Sequence, residues 1–232
     1  NPREVTAIHA IPLADIVAQY QAVMGSFRVK AIKTGMLYNA VTIETLASEL
    51  EGMDEELPLV VDPVMVATSG ARLLEPDAVA ALLGRILPLA TLITPNIPEA
   101  EIIAGESLTG RAAVRAAARR LSERHGIAVL LKGGHGEPDA AIDYLAWDDR
   151  LYELQAPRVQ AIATHGTGCT LSAAITAQLA SHGDLLQAVV AAKAFVYHSL
   201  RHARCVGPGL HAMVPPAEWD ASVVQVKLLD TR

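Results

Sequence analysis

Aromatic residues are scarce in this chain: Phe, Trp and Tyr make up 4% of it, while 51% of all residues are hydrophobic. The interior must therefore be built mostly of Ala, Val, Leu and Ile. Cysteine is almost as rare. Cys169 and Cys205 are too few for a disulfide framework and fit a reducing cytoplasm. Positive charge is in deficit, with 19 Lys and Arg against 25 Asp and Glu, a net charge of −6. That balance argues against broad nucleic-acid binding, so any phosphate must be held by backbone donors and a few local cations. No uncharged apolar run reaches the length of a membrane span and no signal peptide is recognisable, so no membrane partner is expected. Repeats and low-complexity tracts are also missing. At 232 residues, a single α/β domain is expected. The chain opens on Asn1 rather than Met, so an earlier segment is expected.

What is present is an alternation of short apolar runs and longer helical patterns. Strands are predicted over 28–36, 57–61, 91–94 and 127–131, and a hairpin joins 142–147 to 150–154 across Asp148-Asp149. Helices are predicted over 12–24, 41–51, 76–86, 98–104, 110–125, 167–181 and 184–203. Such alternation implies βαβ units and a mainly parallel sheet. Met36, Asp62, Asn96 and Lys132 each fall just after a strand, where open parallel sheets bind ligands.

Residues 164–170, Thr-His-Gly-Thr-Gly-Cys-Thr, carry the strongest chemical signal. Two glycines allow a tight turn into a helix. The N–H groups of Gly166, Thr167, Gly168 and Cys169 then lie at a helix start, without intrahelical partners and at the positive end of the dipole. That arrangement suits a phosphate or a developing phosphoryl charge. A cysteine there is expected to have a lowered pKa and to act as a base on an alcohol. The plainer alternative is a glycine-rich cap with a small buried cysteine.

Other positions also have two readings. Lys132, followed by Gly133 and Gly134, is either an exposed strand exit or a cation on nucleotide phosphates. Asp62 is a turn residue or an oxygen donor near Mg²⁺, and Asn96 with Glu99 is a helix cap or an organiser of metal-bound water. Met36 is core or a thioether against a planar ring. His135, His165 and His211 are too scattered for a zinc site. The arginines between Arg111 and Arg124 read as a solvated helix face.

Together the segments 29–37, 60–70, 93–100, 131–135 and 164–174 resemble the hydroxymethylpyrimidine and phosphomethylpyrimidine kinases of thiamine biosynthesis, in order and spacing over nearly the whole chain. The resemblance implies a ribokinase-like three-layer αβα fold with a mainly parallel central sheet. It also implies ATP-dependent phosphorylation of the hydroxymethyl alcohol and then of its monophosphate. Cys169 is the discriminating residue, because most ribokinase-like enzymes carry Asp there. By resemblance, Cys169 is the base and Gly166, Thr167 and Gly168 form the anion hole. Lys132, Asn96 and Thr167 serve the nucleotide. Asp62 and Glu99 surround Mg²⁺, a monovalent cation being a further candidate. Met36, Val64 and Cys169 line the pyrimidine pocket. A cytoplasmic homodimer is implied. Family members begin with a strand and a Gly-rich loop before a Thr-Ala-Gln-Asn segment whose last residue matches Asn1, so the N-terminal part of the fold is expected to be missing. The alternatives are a Cys-type pyridoxal kinase and a non-catalytic pyrimidine-binding regulator.

Overall fold

A computed structural model describes residues 5–53, 55–66, 73–133, 138–160 and 165–231. Asn1, the 67–70 part of one matching segment, Gly134, His135 and Thr164 lie outside the described residues.

Seven strands form one sheet in the order β1 (Ile32–Thr34), β2 (Leu59–Val61), β3 (Leu92–Ile93), β4 (Ala128–Lys132), β5 (Ala140–Trp147), β6 (Arg150–Pro157) and β9 (Gln225–Thr231). The first four are parallel. β5 runs antiparallel to β4, β6 to β5 and β9 to β6, so only β5 and β9 point the other way. The sheet is mainly parallel, as its sequence pattern predicts.

Strand alternation sorts the core into two layers. Leu59, Val61, Ile93, Val129 and Leu131 face one side. There they pack under α2 (Ala40–Glu51), α3 (Ala78–Ala81), α4 (Ile97–Ala104) and α5 (Gly110–His125). Val60, Leu92, Ala128 and Leu130 face the other side, against α6 (Thr167–His182) and α7 (Leu185–Arg201). The result is the expected helix–sheet–helix sandwich. Small residues let the helices approach closely: Ala47, Ala78, Ala100, Ala117, Ala118, Ala192 and Ala194 are all fully buried.

Several elements depart from the sequence pattern. The strand expected over 28–36 pairs only over three residues, because register with β2 ends there. The helix expected over 76–86 is α-helical only in α3, widens to a π-helix over Leu82–Ile86 and tightens to a 3₁₀ turn over Leu87–Leu89. Pro88 explains the break, since it lacks an N–H and its ring crowds the carbonyl four residues back. α1 (Leu13–Ser26) buries none of its residues, and it meets the body mainly at α2, where Tyr20 donates to the Glu49 carbonyl at 3.4 Å, rather than burying its expected apolar face, with Ile16, Val17, Tyr20 and Val23. The hairpin turn is as expected, Asp148 and Asp149 both taking positive φ (52° and 58°), as the twist of a two-residue hairpin requires. β9 and a small hairpin, β7 (Arg204–Gly207) with β8 (Leu210–Ala212), lie in a stretch where the sequence pattern predicts no strands. In β9 the apolar Val226 and Leu228 are exposed, so the strand lacks the usual inward alternation.

Candidate active site

The same alternation that builds the core assembles the site. Residues in register with Val60, Leu92 and Leu130 point toward α6. Two positions further along β2, β3 and β4, that face carries Asp62, Thr94 and Lys132. They converge beneath the N-terminus of α6 at the carboxyl ends of the strands.

Asp62 is the hub. Its carboxylate is 3% exposed and accepts hydrogen bonds from Ser172 Oγ at 3.0 Å, Lys132 Nζ at 3.3 Å and Thr94 Oγ1 at 3.5 Å. Ser172 lies one turn after Cys169 on α6, so i,i+3 spacing puts both on the strand side of the helix. The Cys169 carbonyl, 3.1 Å from the same hydroxyl, is the alternative acceptor for its single proton.

Gly166 turns the chain into α6 with φ 81°, a conformation that a β-carbon would strain. The first intrahelical bond runs from the Thr170 N–H to the Gly166 carbonyl at 2.9 Å. The N–H groups of Gly168 and Cys169, ahead of it, lie in the first turn, where the helix itself offers them no carbonyl. A β-carbon on Gly168 would sit 3.2 Å from Lys132 Nζ, so the ammonium lies directly against the start of this helix. Lys132 itself is delivered by β4, whose register is fixed by its N–H donating to the Pro95 carbonyl at 2.8 Å.

Behind Lys132, Gly133 has no room for a side chain: a β-carbon would stand 2.6 Å from the Ile142 carbonyl oxygen. The Gly133 N–H donates to Asp143 Oδ1 at 3.0 Å, and the other Asp143 oxygen accepts from Lys193 Nζ at 2.5 Å. This buried pair ties the exit of β4 to β5 and α7.

Asn96 and Glu99 form a helix cap, the first of their two readings. The Glu99 N–H donates to the Asn96 side chain at 2.9 Å and the Asn96 N–H donates to Glu99 Oε2 at 2.9 Å, a reciprocal capping box. The remaining Glu99 oxygen accepts the Met65 N–H at 3.2 Å. That contact restrains the residue before it, Val64, whose φ of 44° is unusual for a β-branched side chain. Burial pushes the Glu99 carboxyl above its ordinary range; Lys132 and the two N–H groups oppose this and Asp62 adds to it.

Cys169 opens to solvent, so the alternative of a buried structural thiol does not hold. Its pKa, however, is raised rather than lowered. Packing on its protein side is the largest cause and the Asp62 carboxylate the next, outweighing the Lys33 and Lys132 ammoniums. The helix N-terminus alone therefore does not set the thiol's acidity; the buried anion beneath it opposes ionisation.

For a hard cation, Asp62 and Glu99 offer oxygen donors that are already engaged in hydrogen bonds. Among the described residues no group of three or more His, Cys, Asp or Glu could enclose a metal. The donor set fits Mg²⁺ arriving with nucleotide phosphates and held by one or two carboxylates through water, rather than a dedicated protein cage. Two cavities lie elsewhere, one of about 440 Å³ between α4 and α5 and one of about 540 Å³ at the opposite end of the sheet; neither is lined by these residues.

A sequence model described as phosphomethylpyrimidine kinase matches residues 1–214. The chain belongs to this family. The hydroxymethylpyrimidine/phosphomethylpyrimidine kinase of Haemophilus influenzae is 42% identical over 214 residues, covering 90% of this chain and 79% of that protein. The thiamine biosynthesis bifunctional protein ThiED of Geobacter sulfurreducens is 41% identical over 90% of this chain, which spans 42% of that longer relative. A solved structure of the pyridoxal kinase from Staphylococcus aureus in complex with pyridoxal superposes with a TM-score of 0.82 at 29% identity, covering 94% of this chain and 80% of that one.

Within this phosphomethylpyrimidine kinase family member, Gly168, Cys169, Lys132 and Asp62 gather at one point, with Gly166 and Thr167 opening the helix above them. Asn96 and Glu99 flank the group through the carboxyl end of β3. Met36, 42% exposed, and Val64 lie on the loops leaving β1 and β2. Sequence reasoning missed Ser172, Thr94, Lys33, Asp143 and Lys193. Helical spacing from Cys169 would have found Ser172, and strand alternation would have found Thr94 and Lys33. Lys193 was marked only by its place on the buried stripe of α7.

Proposed function

We propose that the protein transfers the γ-phosphoryl group of ATP to 4-amino-5-hydroxymethyl-2-methylpyrimidine and then to the resulting monophosphate. The observation that carries this reading is the cluster at the start of α6, where a solvent-open thiol, helix N–H groups and the Lys132 ammonium meet over Asp62. Phosphoryl transfer asks for positioning and for donors aimed at charge spread over the transferring group. The N–H groups of Gly168 and Cys169 supply such donors without reorganisation. Lys132, already poised over Gly168, contacts the nucleotide phosphates, and Thr167 and Asn96 flank them.

Cys169 accepts the alcohol proton as the new P–O bond forms. Only the thiolate can accept that proton, so the thiol first gives its own proton to solvent; the raised pKa makes the thiolate scarce at neutral pH but a stronger base. Asp62 and Glu99 would hold Mg²⁺ through water, where it neutralises phosphate charge. A monovalent cation beside the phosphates belongs to the same reading. Met36 and Val64 border the pyrimidine, with the sulfur of Met36 available to the ring. A cytoplasmic homodimer goes with this reading. Among the described residues no helix is long and apolar enough to cross a membrane.

The test is ATP-dependent turnover on the hydroxymethylpyrimidine, its monophosphate and pyridoxal, measured side by side. Cys169→Ala is expected to lower kcat on the pyrimidine by about 10²–10⁴ while leaving the fold intact. Preference for pyridoxal would replace the substrate assignment, and full turnover in Cys169→Ala would remove the base.

A further inference from the structure

A second lysine stands at the same end of the sheet. Lys33 is the central residue of β1 and pairs with Val60, so its side chain leaves on the face shared with Asp62, Thr94 and Lys132. Its Nζ lies 3.0 Å from the point where a β-carbon on Gly35 would stand. The ammonium is therefore folded forward over the exit of β1, toward the ligand end of the sheet, and Gly35 leaves the space for it.

Lys132 has Asp62 as a counter-charge, whereas no described residue forms a hydrogen bond or ion pair with Lys33. Yet Lys33 is partly buried. A cation drawn out of water without an anion is unfavourable unless something negative arrives to meet it. Lys33 is also one of the two ammoniums that favour the Cys169 thiolate.

The two acceptors of the proposed reaction differ most in charge. The first is a neutral alcohol; the second carries a phosphate, nearly a dianion at neutral pH. We propose that Lys33 binds the phosphate already present on the acceptor and so selects the monophosphate for the second transfer. This rests on the two-step reading given above. In that step an oxygen of the acceptor phosphate forms a bond to the γ-phosphorus of ATP, the bond from that phosphorus to the bridging oxygen breaks, and ADP leaves with the electron pair. Lys33 takes no part in bond making or breaking and exchanges no proton.

The test compares kcat/KM for the monophosphate with kcat/KM for the alcohol, on the same preparation of full-length enzyme, so that the ratio is independent of the fraction folded. In Lys33→Met the ratio is expected to fall by about 10- to 100-fold, the scale of one charge-assisted hydrogen bond, through KM for the monophosphate. Lys33→Arg should restore most of it, and Lys33→Gln should behave as Lys33→Met. An unchanged ratio in Lys33→Met or Lys33→Gln, or an equal loss on both acceptors, overturns the proposal. Wild-type enzyme that makes no diphosphate overturns the two-step reading itself, and this proposal with it. Diphosphate formation by wild type with an unchanged ratio in Lys33→Met overturns the role of Lys33 alone.

Discussion

Two lysine–aspartate pairs stand one behind the other along β4. At its carboxyl end Lys132 meets Asp62 at 3.3 Å, with 15% of the lysine side chain exposed. Behind it, between α7 and β5, Lys193 meets Asp143 at 2.5 Å, with each side chain only 8% exposed. The first pair borders the helix start where a phosphate would lie, so its lysine can share its charge with an incoming anion. The second pair is sealed, and its remaining carboxylate oxygen is spent on the Gly133 N–H. One pair faces the chemistry and the other holds the strand that delivers it.

Breaking each pair separately should expose that division most strongly. Lys193→Met leaves Asp143 buried without its counter-charge, and a loss of about 3–5 kcal/mol of unfolding free energy is expected. The double change Asp143→Leu/Lys193→Met should recover most of it, because the desolvation cost leaves with the charges. Lys132→Met leaves the buried Asp62 carboxylate with the Ser172 and Thr94 hydroxyls as remaining donors, so its stability cost is expected to be smaller than that of Lys193→Met, while turnover with ATP collapses. Denaturant melts beside ATP kinetics check both arms. Equal stability losses for Lys132→Met and Lys193→Met would erase the distinction.

A smaller effect sharpens the same contrast at Cys169. Alkylation requires the thiolate, and the thiol pKa is raised. Iodoacetamide should therefore modify Cys169 more slowly at pH 7 than a free thiol, with the rate climbing as pH rises past the ordinary thiol range. Lys132→Met removes a cation that favours the thiolate and should slow the reaction further. Lys193→Met, tested under native conditions, should not. Mass-spectrometric rates across pH check this; a rate already at its maximum by pH 7 would contradict the raised pKa.

The contrast also marks what the sequence could reveal. β4 and α6 were legible because an apolar run ending in Lys-Gly and a glycine turn ahead of an Ala-rich helix are local signals. The polar residues at strand ends were legible for the same reason, and alternation then fixes which face they share. The Asp143–Lys193 pair was not, since it joins residues 50 positions apart that carry no shared motif. β9 was hidden for a related reason: it earns its place through hydrogen bonds to β6, while its apolar Val226 and Leu228 remain exposed. The acidity of Cys169 was misjudged because the helix start is a local feature, whereas Asp62, which opposes ionisation, comes from a distant strand.

The central claim, that the start of α6 and the Lys132 ammonium form one phosphoryl-binding site, is tested most directly by Gly168→Ala. An added β-carbon would stand 3.2 Å from Lys132 Nζ, the flexible end of a long side chain, so the lysine can give way without disturbing the fold. Ala is favoured over Gly in a helix by up to about 1 kcal/mol. The account predicts an unchanged or raised melting midpoint together with kcat on ATP lowered by at least about 10-fold, since small displacements of positioning groups are costly. Full turnover in a stably folded Gly168→Ala enzyme would contradict it.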